Sequence, residues 1–226
     1  MFSTAFTVVL YGLVRGAHFR CFGWQDPTRQ SLILIRASST LGNAGNYAHN
    51  GSMTDLAAAL KRVEKVLLRS PQTGLHTDAP ATARWNGGTR VTTSHENGTR
   101  VATDLPTEVG GGGTAVTPGW FLRAGLASCI TTRIAMAAAV EGIELTELEV
   151  VATSESDARG LLGMADADGQ RVPAGPRDVR LHVKIAAAGG VSEERLRSLV
   201  ERSHGLSPVS CALQEVTPAE LLIEVG

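Results

Sequence analysis

"TPGWFLRAGLASCITTRIAMAAAVEG", residues 117–142, is the stretch that decides how the rest of the chain is read. Thr117 is a good helix N-cap, and Pro118 suits the first turn, where its missing N–H costs nothing. Gly142 stands where a left-handed residue can close a helix. Between them Phe121, Leu122, Leu126, Ile130, Ile134, Ala135, Ala138 and Val140 leave hardly any polar face. A helix that is apolar nearly all round is covered on several sides, so the spacing predicts a central helix on which other elements pack. In its middle sits one thiol, Cys129. A buried free cysteine usually behaves as a small hydrophobe, and the residues alone leave that reading open beside a chemical one.

The elements on either side fit an α+β domain. Upstream, "DLAAALKRVEKVLLRS" carries Leu56, Leu60, Val63 and Leu67 on one stripe, with Thr54 as its expected N-cap and Pro71 past its end. Asn86-Gly87-Gly88 and Asn97-Gly98 are hairpin signals that divide residues 81–106 into three short strands. The run "EVGGGGTAVTP" lacks the offsets and the Lys-Ser/Thr ending of a phosphate cradle, and reads as a flexible loop bringing backbone close to a site. Downstream, "LTELEVVATSE" and "RDVRLHVKIA" alternate as strands, with Leu148, Val150 and Ala152 on one face of the first. Val179, Leu181, Val183 and Ile185 share one face of the second. Ser192 opens a helix striped by Leu196, Leu199 and Val200; Ser207-Pro208 opens a short one; "AELLIEV" reads as a closing strand. Strands, a buried helix, then strands and helices give antiparallel sheet packed on helix.

Composition limits the function. The chain has 226 residues and a net charge of −1, so no electrostatic footprint for nucleic acid or an anionic membrane surface is present. Cys21, Cys129 and Cys211 are odd in number and far apart, and the histidines are scattered. Neither a disulfide framework nor a metal site is indicated, and free thiols suit the cytoplasm. The apolar run "AFTVVLYGLV" is too short for a bilayer, which needs roughly 20 residues. Residues 1–52 read as an unpatterned N-terminal extension, and 53–226 as one domain. Arg15, Arg20, Arg29 and Arg36 against Asp26 alone also suit a transit peptide. A start site placed too far upstream of Met53 gives the same picture.

With "PTEVGGGG", "TPGWFLRAGLASC", "SDARGLLG" and "SPVSCAL" in this order before a last strand, residues 80–226 resemble the OsmC/Ohr family of thiol-dependent hydroperoxide reductases. The resemblance implies an intertwined homodimer whose sheets wrap two long central helices, with active sites at the subunit interface and no cofactor. It places the peroxidatic cysteine at Cys129, and beside it a loop glutamate, Glu108, and an arginine from an early strand, Arg90, with Arg84 and Arg123 as alternatives. The substrate it implies is an organic hydroperoxide, and the reductant a small or lipoyl-type dithiol. One position departs from the pattern. The family's resolving cysteine precedes the proline that is Pro208 here, and this chain has Ser207 there. Cys211, one turn further, or an external thiol is left to resolve Cys129. Without a resolver, the alternative is a non-catalytic dimeric domain that holds an apolar ligand or partner in the same cleft.

Overall fold

A computed structural model describes residues 52–215 and 217–226. The extension over residues 1–51, with Cys21, lies outside the described residues. Helix α1 (Met53–Arg69) starts two residues earlier than the sequence suggests: Ser52, not Thr54, is the N-cap, its Oγ accepting from the Thr54 N–H. Its apolar stripe leans on the central helix through Met53, while Val63 stays exposed. Strands β1 (Thr82–Trp85), β2 (Val91–Ser94) and β3 (Arg100–Thr103) form the expected antiparallel meander, turning at the two Asn-Gly signals. Its register puts Thr93 opposite both Ala83 and Val101, and Val91 opposite Trp85 and Thr103. One face is therefore mostly apolar, and the other carries Arg84, Thr92 and Arg100.

Helix α2 (Pro118–Glu141) is the predicted central helix. Thr117 Oγ1 accepts from the Trp120 N–H, and Gly142, at φ +66°, closes the last turn. Among the described helices it alone is long and apolar enough to cross a membrane, by length and composition only. Within the domain one side of it is core: Leu126, Ile130, Ile134 and Ala138 are buried with Ile143, Leu196 and Leu199. Burying each large aliphatic side chain contributes about 1.5–3 kcal/mol, which is why this face, and not a polar one, turns inward.

Strands β4 (Leu145–Glu155) and β5 (Arg177–Ala187) form an antiparallel hairpin that lies on this core, pairing Leu148 with Ile185, Val150 with Val183 and Ala152 with Leu181. The alternation read from sequence holds along its inner face, except that Val179 is exposed. The long connection between them contains a single helical turn, α3 (Ala158–Leu161), that the sequence did not announce. Asp157 caps it, and its hydrogen bonds from Arg159 hold the carboxyl down at about 2. Helix α4 (Glu193–His204), capped by Ser192, and α5 (Pro208–Gln214) complete the domain against α2.

The last expected strand is absent from the fold. Residues 217–226 carry no regular secondary structure, and Leu222 is 81% exposed. A strand exists only through the ladder it forms, and among the described residues no strand pairs with these.

Candidate active site

The site is built from α2, the turn before α5 and the groove between them. Cys129 is half-buried midway along α2, next to the core residue Ile130. Its sulfur accepts a hydrogen bond from Ser207 Oγ at 3.3 Å. Ser207 is 0% exposed and stands at the N-cap position of α5, yet its side chain makes no capping bond there. The hydroxyl that sequence pattern assigns to capping is spent on the thiol instead. The backbone carbonyl of Ser207 still serves the helix, accepting from the Cys211 N–H at 2.9 Å.

The thiol opens onto a pocket of about 540 Å³ lined by Thr132, Arg133, Met136, Leu206 and Pro208. Arg133 follows Cys129 by one helical turn, so both lie on one side of α2, and long helical side chains lean back toward the N-terminus. It is half-buried and has no hydrogen-bond or ion-pair partner among the described residues. Apolar walls, a hydroxyl on the sulfur and an arginine in the lining suit a molecule with an apolar body and a polar reactive end. Arg133 was missed at the sequence level. The signal for it in the sequence is its i+4 spacing from Cys129.

The other expected residues lie elsewhere in the chain. Cys211 is half-buried, and its thiol donates to the Gly205 carbonyl at 3.5 Å. Arg123 reaches β4, donating to Ser154 Oγ at 3.2 Å, and Arg84 is exposed on β1. Arg90 and Glu108 both lie at the glycine loop, without a hydrogen bond or ion pair between them among the described residues. Glu108 is exposed on a single 3-10 turn, Thr107–Val109, and Arg90 donates to Thr114 Oγ1 at 2.9 Å, at the far end of the glycine loop. No hydrogen bond or ion pair joins either of them to Cys129 among the described residues.

The glycine loop is tied down, not free. Asp104, 2% exposed, is the post around which it winds. Its carboxylate accepts from Thr89 Oγ1 at 2.6 Å, the Leu105 N–H at 2.9 Å, the Gly112 N–H at 3.1 Å and Thr114 Oγ1 at 3.1 Å. The Thr89 hydroxyl leads these donors in holding the carboxyl far below the ordinary aspartate range, against the opposing effect of burial. Gly111 is required here, because a Cβ would meet the Leu105 carbonyl oxygen at 1.9 Å. Asp104 therefore holds the loop at Gly112 and Thr114, and Thr114 in turn accepts from Arg90. Nothing in "ATDLP" distinguishes it from a solvated turn acid.

Comparison with known proteins supports the order of elements. Residues 110–221 match the family model described as OsmC-like protein. An OsmC-like protein from Mycoplasma pneumoniae superposes with a TM-score of 0.51 at 20% identity, over 63% of this chain and 91% of that one. An organic hydroperoxide resistance protein from Elizabethkingia anophelis gives 0.47 at 22% identity, over 63% and 93%. The organic hydroperoxide resistance protein OhrB of Bacillus subtilis gives 0.42 at 21%, over 62% and 93%. No curated protein matches the chain. The first superposition supports the fold alone; residues 110–221, with Cys129 on the central helix, match the OsmC-like model, so the chain carries an OsmC-like domain.

Proposed function

We propose that the protein reduces organic hydroperoxides through the thiolate of Cys129. The observation that carries this reading is the surroundings of the sulfur: a Ser207 hydroxyl donating to it, and a pocket of about 540 Å³ that also holds Arg133, without a partner among the described residues. A buried packing cysteine has no need of either. The thiolate is the nucleophile in such chemistry, and the pocket gives a hydroperoxide a way to the sulfur.

The reaction then runs in two parts. The thiolate attacks the terminal oxygen of the hydroperoxide, the O–O bond breaks, and the alkoxide leaves and takes a proton to become the alcohol. The sulfur, oxidised by two electrons, is left as a sulfenic acid. Ser207 cannot form a disulfide, so in this reading an external thiol attacks the sulfenic sulfur and expels water. A second thiol equivalent then frees Cys129, a task that suits a lipoyl-type dithiol. Resolution by Cys211 is the second reading, favoured by its place one turn beyond Ser207, about 6 Å along the helix axis. It requires the Cys211 thiol to leave the Gly205 carbonyl, and disulfide formation needs Cα atoms within about 7 Å.

The same reading includes a homodimer. The meander's apolar face lies open over a pocket of about 410 Å³ beside Phe121, and Trp120, Leu122 and Val140 of α2 are exposed. A partner covering these surfaces could bring its own Glu108 and Arg90 to the thiol. We place the domain at residues 53–226 and the protein in the cytoplasm, where its thiols stay reduced.

Stopped-flow mixing of the reduced protein with cumene hydroperoxide tests the proposal. Wild type and Cys211→Ser should each consume about one equivalent quickly and leave a dimedone-trappable sulfenic acid, and Cys129→Ser should consume none. Failure of the trap in wild type with success in Cys211→Ser selects Cys211 as resolver. If wild type and Cys129→Ser behave alike, the protein is a binding domain and not a peroxidase.

A further inference from the structure

A second, smaller pocket of about 170 Å³ lies beside the thiol pocket, between α2 and α4. The two share Arg133 and Leu206 as walls. On α2 the combined lining includes Cys129, Arg133, Ala137 and Glu141, one residue per turn, so the two pockets form one groove along a single helix face. The far pocket adds Arg202 and Ser203 from α4.

Its chemistry is that of an anion site with part of its capacity unspent. Glu141 is the one acid lining it, and it is already taken: Arg202 Nη2 lies 2.5 Å from Oε1 and Arg195 Nε 3.8 Å from Oε2. Two guanidiniums line the pocket against that one carboxylate, and Arg195 adds a third positive group on Glu141. Two helix C-termini also converge here, and their carbonyl ends, with Glu141, account for the presence of Arg195 and Arg202. They do not account for Arg133, which has no partner among the described residues. Nor do they account for Ser203, 1% exposed, whose Oγ is buried without a hydrogen bond. A buried hydroxyl of this kind is costly unless something accepts from it.

We infer that this pocket binds a carboxylate, so that the hydroperoxide reduced at Cys129 carries a carboxylate at its other end. The inference rests on the peroxidase reading and names the substrate class for it. Arg133 stands about 6 Å along the helix from Cys129 and Ala137 about 12 Å. The acid group therefore belongs roughly one aromatic ring, or a short alkyl chain, away from the O–O bond. Arg202 and Arg133 would hold its charge and the Ser203 hydroxyl would donate to it, while Met136 and Leu206 face the apolar middle.

The test compares cumene hydroperoxide with its para-carboxylate. In wild type at low ionic strength the ratio of kcat/KM, acid over neutral, should be roughly ten, falling toward one in Arg202→Gln and Ser203→Ala and surviving in Arg202→Lys. Lys184→Gln, which removes a positive charge on the far side of the β4–β5 hairpin, should leave the ratio alone. A wild-type ratio near one, or the same ratio in Lys184→Gln as in Arg202→Gln, overturns the carboxylate site and leaves the thiol chemistry standing. If neither peroxide is consumed, the peroxidase reading fails, and the site is decided without turnover. In that case 4-isopropylbenzoate should still slow iodoacetamide labelling of Cys129 in wild type and not in Arg202→Gln. No protection in wild type overturns the inference.

Discussion

The two sheets of this domain make opposite use of similar sequence patterns. The β4–β5 hairpin turns Leu148, Val150, Leu181 and Ile185 onto α2 and closes a core around Ile130, Ile134 and Leu199 within one chain. The β1–β3 meander also has one mostly apolar face, with Ala83, Val91 and Val101, yet this face stands open beside Pro118 and Phe121. The residues 217–226 behave like the meander, apolar and exposed. Alternation tells a strand which face to bury but not against what. The difference separates what a single chain stabilises alone from what it leaves for another surface to cover.

Substitutions on the two sides should break or sharpen that contrast. The largest effect belongs to the closed side: Ile134, 0% exposed, changed to Ala should cost about 2–5 kcal/mol, read as a lower urea midpoint. Val101→Asp on the open side should leave the unfolding midpoint of the isolated chain nearly unchanged and shift the proposed homodimer toward monomer in sedimentation. If it unfolds the protein as Ile134→Ala does, the meander's face is core and the contrast fails.

Between the two lies the thiol. Ser207→Cys places a second sulfur where a hydroxyl now sits 3.3 Å from Cys129, and mild oxidation should then remove two free thiols as an internal disulfide. Persistent thiols in that variant would show that the α2–α5 contact cannot adopt disulfide geometry.

The smallest effect concerns Asp104. Its carboxyl is held far below its unfolded value near 4, so its contribution is fully present above that value and is lost as pH falls toward the folded one. Stability should decline on acidification below about pH 4, and Asp104→Asn should melt several degrees lower at pH 7 and flatten that decline. An unchanged acid limb in Asp104→Asn would mean that other carboxylates set it.

Much of the fold was legible because it depends on local rules. Thr117, Pro118 and Gly142 bound α2, two Asn-Gly pairs mark the meander, and Ser192 caps α4 as expected. The site was legible only in part. Cys129 stood out as a thiol in a greasy helix, and the residue at 207 was recognised as the odd one. The sequence could not say that the Ser207 hydroxyl would leave its capping role for the sulfur, because Ser207 and Cys129 are far apart in the chain. Arg133 was overlooked and Asp104 was invisible, since an isolated charge shows its value only through the groups that surround it.

By itself, then, the sequence determined the period of each element, the helix that must be covered, and the thiol placed on it, because these follow from propensities and spacings within a few residues. Only the tertiary structure decided which hydroxyl meets the sulfur, that Arg133 joins two pockets, and that "AELLIEV" is left without a ladder. Those facts depend on long-range approach, and hydrogen bonds and strand pairs have no existence until both partners are present.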